Sequence, residues 1–308
     1  MLARIFATVV AIGVTAGITA HSAMAEGRSY LGFGNLLVND AIGDGYDRWR
    51  TGSYGTSRIW GYGWDGALPE AAGNILELRL GGEVIAPRTL VNPSTSDRPF
   101  AGMLSAGVHT HFQRSGTEFA LGGDLVAIGP MTHLDELQNA IHDLINVSQS
   151  SPEVRAAQIP NTWRLRGVAE VGREVQMGGQ SRLRPFVEAR AGDESLVRAG
   201  FDLTIGKFGE GELLVRDWVT GHRYRTIRNH QPGWSFVAGA DVAHVFDSVF
   251  LPEDRGIALE EMRSRVRAGV HWRGQKHHVF YGLTWLSEEF EAQDEAQVVG
   301  AIKLDFKF

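Results

Sequence analysis

The chain has 308 residues, with 30 Lys and Arg against 36 Asp and Glu, and no cysteine. No basic stripe or run stands out, so nothing recommends a nucleic-acid partner, and a disulfide framework is excluded. Past residue 25 no segment approaches about 18 uninterrupted apolar residues, which excludes a membrane-spanning helix. Thirty-eight glycines spread through strand-like segments suit a curved, closed sheet better than a compact soluble core.

The first element is an export signal. One early charge, Arg4, precedes an apolar run over 5–20, and Ala23-Met24-Ala25 stands before Glu26. A charged start, a short apolar core and a small-x-small ending predict cleavage after Ala25, leaving one domain over 26–308 with 29 basic against 36 acidic residues.

Beyond the signal, apolar and polar residues alternate with period two between turn signals. The pattern predicts strands at 28–39, 49–62, 74–86, 100–114, 117–129, 163–177, 182–192, 195–207, 234–246, 261–273, 277–289 and 296–308. Twelve is an even number, as single-chain bacterial barrels require. In the tenth, Met262, Val266, Ala268, Val270 and Trp272 share one face, and Arg263, Arg265, Arg267, His271 and Arg273 the other. Four arginines on one strand face belong in a wet lumen, not in lipid. The last strand puts Val298, Gly300, Ile302, Leu304, Phe306 and Phe308 on one face and Val299, Ala301, Lys303, Asp305 and Lys307 on the other, and it ends on an aromatic residue. In a chain with an export signal, this is how the closing strand of an outer-membrane barrel reads. The expected architecture is an all-β, twelve-stranded antiparallel transmembrane barrel, monomeric in the outer membrane. Trp49, Trp60, Trp64, Trp163, Trp234, Trp272 and Trp285 are expected to form its interfacial girdles; a soluble sandwich that buries them is the alternative.

Residues 132–146 break the β pattern. They follow Gly129-Pro130 and carry Leu134, Leu137, Ile141, Leu144 and Ile145 at helical spacing. Thr132 is the expected cap, with Asp135 in the box position. The polar face carries Gln138 and His142 one turn apart, and the helix is expected at the barrel mouth, where loops carry function.

Three places offer chemistry: Asn39-Asp40 after the first strand, the run 47–52 (DRWRTG) opening the second, and His142. Each alone has an ordinary reading as a turn, a local ion pair or a structural histidine. His109 and His111 share a strand face and are expected to line the lumen near Asp124 and Glu118 rather than to hold a metal. His277 and His278 fall on opposite faces, which argues against joint ligation. The basic stretch 209–233, with Arg216, His222, Arg223, Arg225, Arg228 and His230, reads either as a loop meeting lipopolysaccharide phosphates or as a solvated surface loop.

Taken together, LLVND (36–40), DRWRTG (47–52), SDRPFAG (96–102) and IGPMTHLDELQNAIHDLI (128–145) resemble the outer-membrane lipid A 3′-O-deacylases. In the last stretch Gly129-Pro130, Glu136, Gln138, Asn139 and His142 keep the family spacing. The resemblance implies calcium-dependent hydrolysis of the 3′ ester that holds an acyloxyacyl chain on lipid A. It implies His142 as general base, Asn39 and Asp40 as calcium and substrate ligands, and Thr51 near the reacting group. A His of ordinary pKa near 6.5 suits a base at neutral pH, and no covalent serine is needed; no G-x-S-x-G occurs. Two positions depart from the family. The loop 87–97 has only Arg88 where a lysine is expected near 91–93, and Ala41 follows Asp40 where another oxygen ligand is expected. A passive porin-like or structural barrel and an outer-membrane phospholipase are the rival functions.

Overall fold

The computed structural model describes residues 27–229 and 231–306. The predicted signal, His230 of the basic stretch, and Lys307 and Phe308 of the last strand lie outside them. Alternation drives the fold. In β3 (Ile75–Ala86), Ile75, Glu77, Gly81, Glu83 and Ile85 turn inward, while Leu76, Leu78 and Leu80 turn outward. The same rule holds along β1 (Ser29–Asn39), β2 (Trp49–Gly61), β4 (Ala101–Arg114), β5 (Thr117–Ile128) and β6 (Thr162–Gly172). It continues through β8 (Ser181–Ala191), β9 (Glu194–Gly206), β12 (Gly233–Ser248), β13 (Met262–Arg273), β14 (His277–Leu286) and β15 (Gln297–Phe306).

Each strand pairs antiparallel with its neighbours. β1 meets β15 at Leu37–Ile302, and β6 pairs with both β5 and β8, so the sheet closes on itself. The predicted strand 163–177 is one stave in two pieces, because β7 (Val175–Gly178) continues β6 beyond an interruption at Arg173 and Glu174 and pairs with the same β8. The result is the twelve-stranded antiparallel barrel. No helix among the described residues is long and apolar enough to cross a membrane; the strands do so. Ser29 and Phe306 lie at one end, and at the other lies the long connection between β5 and β6, which carries α1 (Leu134–Ile145) and α2 (Pro152–Ala156). The latter is called the loop end here; longer loops mark the outward end of such barrels.

The predicted girdles form in part. Tyr30 packs edge-on against Trp60 (5.9 Å) and Trp234 lies 6.3 Å from Trp272 at the end holding the termini, while Trp163 and Trp285 are exposed at the loop end. Two tryptophans do not join them. Trp49, at a positive φ of 53°, is buried against Leu251, Ile257 and Phe290, and Trp64 turns inward to donate to the Gly211 carbonyl (3.0 Å).

The lumen is where expectation and structure differ most. Residues 209–229 of the basic stretch are neither a solvated loop nor a surface for phosphates. They fold back into the barrel as a hairpin of β10 (Leu213–Arg216) and β11 (Arg223–Ile227). Its arginines are consumed by acids of the barrel and the hairpin itself: Arg216 reaches Glu170 (2.7 Å) and Asp202 (2.8 Å), and Arg225 reaches Glu212 (2.5 Å). Trp218 at the tip donates to Glu83 (2.8 Å). Glycines of the wall make the room, Gly34 and Gly81 among them. A Cβ on Gly34 would come within 2.3 Å of the Arg225 carbonyl oxygen, and one on Gly81 within 2.6 Å of the Trp218 ring. The arginines of β13 face the lumen as expected, and there Arg265 and Arg267 share Asp241 (2.9 and 2.5 Å). His109 bonds Asp124 (2.9 Å) as expected, but His111 bonds Glu77 (2.6 Å), since Glu118 is taken by Arg184 (2.6 Å). A cavity of ≈ 460 Å³ remains between hairpin and wall, with Trp64, Glu174 and Gln176 among its lining. Buried pairs of this kind favour one arrangement because an arginine stripped of its acid is left charged and dry.

A barrel filled in this way is expected to carry no steady ion current in planar bilayers. Replacing 209–231 with a short turn is expected to open a conductance; continuous conduction by the unaltered protein would refute the account of the lumen.

Candidate active site at the loop end

The site is assembled from the ends of β1 and β2 and from α1. Leu36 and Val38 point inward, so Asn39, next in alternation, falls on the outward side of the wall, opposite Gly52 of β2. Its amide closes the strand: Oδ1 accepts from Ala41 N (2.9 Å) and Nδ2 donates to the Thr51 carbonyl (2.9 Å). Asp40 opens a single 3₁₀ turn and is buried; Oδ2 accepts from the Arg48 backbone N–H (2.9 Å), and Oδ1 lies 3.3 Å from Thr51 Oγ1. Burial pushes the Asp40 carboxyl up to about 8, the Arg48 N–H resisting and the nearby Asp47 and Asp44 adding to the rise.

Asp47 is the hub. Its Oδ1 accepts from the Thr51 hydroxyl in a very short contact and from Gln138 Nε2 (3.2 Å), and its Oδ2 lies 3.2 Å from His142 Nε2. Asn39, Asp40, Thr51 and His142 are therefore brought into one chain of contacts; Asp47 links Thr51 to His142, and Gln138 braces Asp47. Sequence reasoning placed both in its motifs but gave neither a role. The signal for Gln138 was its position one turn before His142; for Asp47 there was none beyond its place four residues before Thr51.

The helix differs from its expected form in a way that matters. It starts at Leu134, not Thr132. Thr132 belongs to a 3₁₀ turn and donates to the Gly129 carbonyl (2.8 Å), and His133 in the left-handed region precedes the helix without a side-chain cap. Its polar side is the buried one: Asp135, Gln138 and His142 face the barrel, while Leu137 and Leu144 are exposed. The start of α1 rests against the outer side of β4, where a Cβ on Gly102 would meet Thr132 and Leu134. That outer side also carries the exposed Glu136 and Asp143, so it presents leucines and acids together.

Arg88 does not reach this cluster. Its guanidinium is engaged by Asp294 and by Glu295 (3.0 Å), and Glu295 also takes Arg48 (2.5 Å). Arg48 in turn lies over the rings of Tyr46 (4.2 Å) and Trp49 (4.4 Å). These contacts tie the β1–β2, β3–β4 and β14–β15 loops together beside the site.

The fit to calcium is one of chemistry rather than of a finished cage. Asp40, Asn39, Thr51 and Asp47 offer hard oxygen atoms, and the buried Asp40 carboxyl contacts a backbone N–H and a hydroxyl rather than a cation. Among the described residues no three His, Cys, Asp or Glu side chains group as a ready-made metal site. A cation here would need neutral oxygens besides Asp40.

Removing the hub should loosen α1. Asp47→Ala leaves Gln138 and His142 without their rim partner and is expected to cost about 1–3 kcal/mol locally. Hydrogen exchange of 134–151 should accelerate while the strands stay protected; unchanged exchange would deny Asp47 this role.

The comparisons agree with the fold. The structure of LpxR from Salmonella typhimurium aligns with 91% of this chain and 100% of its own at 17% identity and a TM-score of 0.73. The beta domain of the Bordetella autotransporter BrkA aligns over 91% of this chain and 100% of its own at 10% identity, with a TM-score of only 0.42. No curated protein sequence matches. The family described as "Outer membrane protein LpxR" matches residues 20–308, nearly the whole chain. The chain is an outer-membrane β-barrel protein that belongs to the LpxR lipid A deacylase family.

Proposed function

We propose that this barrel hydrolyses the 3′ ester linking an acyloxyacyl chain to lipid A. The observation that carries the reading is the contact of His142 with Asp47 beside Thr51 and Asp40 on the outward side of the wall. An ester held in a membrane leaflet would meet these groups from the side.

The contacts support the following roles. His142 Nε2 takes a proton from water, and the resulting hydroxide adds to the ester carbonyl carbon. The imidazolium so formed stands 3.2 Å from the Asp47 carboxylate, which stabilises it. Collapse breaks the bond to the sugar oxygen, and the proton on Nε2 passes to that oxygen, giving a free sugar hydroxyl and a fatty acid. Thr51 and Gln138 hold Asp47 in place, and Asn39 fixes the turn that presents Asp40. Calcium held by Asp40 and Asn39 would supply a hard positive charge to polarise the ester carbonyl. The site is built without the lysine typical of the family, so carbonyl polarisation falls to the remaining groups. The hairpin in the lumen counts against a passive pore.

Mass spectrometry of lipid A from cells making the protein is expected to show loss of the 3′ acyloxyacyl chain. His142→Ala should restore the full acyl complement, since a general base contributes about 10²–10⁴-fold. Identical lipid A with and without the wild-type protein, calcium being present, would reject the reading. Cleavage of glycerophospholipid instead would make the barrel a phospholipase. Chelating calcium, or Asp40→Ala, is expected to abolish hydrolysis while heat-modifiable migration on gels survives; full activity in chelator would remove the metal from the account.

A further inference from the structure

Asn139 follows Gln138 on α1 but faces away from Asp47, toward the segment 146–151 that returns along the helix. Its Oδ1 accepts from Ser150 N (2.8 Å) and its Nδ2 donates to the Ser150 carbonyl (3.2 Å). One amide thus engages both backbone groups of one residue, as a neighbouring strand would. The same segment brings the Ser148 carbonyl to 2.6 Å from His142 Nδ1. The reversal starts at Asn146, left-handed at φ 58°, where Val147 N–H bonds back to the His142 carbonyl (3.0 Å). It finishes where Ser151 N–H bonds the Leu90 carbonyl (2.8 Å). Between these two ends Asn139 supplies the inner tie, with the exposed Gln149 adding a 3.3 Å bond to Asp143.

A carbonyl oxygen can only accept. The Ser148 contact therefore requires a proton on Nδ1 and leaves Nε2, the nitrogen beside Asp47, to exchange one. Without the carbonyl, a neutral imidazole next to a carboxylate would instead carry its proton on Nε2 and could accept none there.

We propose that Asn139 is a positioning residue that acts through the backbone of 148–150 to keep the His142 proton on Nδ1, so that Nε2 is the working nitrogen. Its consequence for catalysis rests on the hydrolysis proposed above, but the protonation pattern does not depend on any substrate.

The test uses the full-length barrel in detergent, labelled with ¹⁵N-histidine, with the His142 signals identified by their loss in His142→Ala. Wild type is expected to show a protonated Nδ1 at every pH where the ring is resolved, and an unprotonated Nε2 once the ring is neutral. Asn139→Ala should lose this preference and lower kcat on lipid A by about tenfold or more, part of what a general base supplies, with KM unchanged. Asn139→Asp keeps the acceptor for Ser150 N–H and should fall between, and it serves in place of Asn139→Ala if that variant loses its heat-modifiable fold. A variant that keeps the Nδ1 proton, whatever its rate, would overturn the proposal, as would loss of the preference with an unchanged rate. Should the wild type hydrolyse no lipid A, the hydrolytic reading would fall while the nitrogen spectra still decided whether Asn139 governs the imidazole.

Discussion

In hydrocarbon every backbone N–H and C=O must find its partner within the protein, and here the pairing of β6 with β8 completes that requirement. Once the sheet is closed, the alternation of side chains leaves no freedom about what goes where. Leu76, Leu78 and Leu80 are committed to lipid, and Glu77 and Glu83 to a lumen too narrow for bulk water to solvate them all. The lumen must then neutralise itself. Asp241 does so with Arg198, Arg265 and Arg267, and Asp202 with Arg216 of the hairpin and Arg267 of the wall. Hairpin and wall are thus one electrostatic unit, and the barrel is a filled cylinder rather than a tube.

The site follows the opposite rule. The lumen balances its charges, whereas Asp40, Asp44 and Asp47 lie close together on one loop, and burial pushes the Asp40 carboxyl up. A carboxyl that resists ionisation beside two others marks a place shaped for something other than stability. Its neighbours are held rigidly: Asp47 is fixed by Thr51 and Gln138, Arg48 is packed against two rings, and Glu295 joins Arg48 to Arg88.

Most of the staves were legible because each of their residues has only two possible surroundings. The arginine face of β13 and the mixed face of β15 declared their orientation directly. The hairpin did not. β10 and β11 are short and buried on nearly all sides, so no alternation betrays them, and RYRTI reads as polar loop until Asp202 and Glu212 are seen beside Arg223 and Arg225. Trp49 was misjudged for a similar reason, since its pocket is made by Leu251, Ile257 and Phe290, far away in the chain. At the site, Asn39-Asp40, the run 47–52 and His142 stand out in the sequence, but only the resemblance to a family gave them roles. Asp47, which joins Thr51 to His142, belongs to a loop whose side-chain directions are set by the 3₁₀ turn and the bulge in β2 rather than by any period.

The outward leucines of α1 and the outward placement of Asn39 have a kinetic corollary. Under the hydrolysis proposed above, the reactant travels within a leaflet, so encounters scale with its mole fraction in that sheet of lipid rather than with its concentration per litre. Adding detergent at fixed total substrate would dilute the reactants in two dimensions and slow turnover, although nothing in the protein had changed.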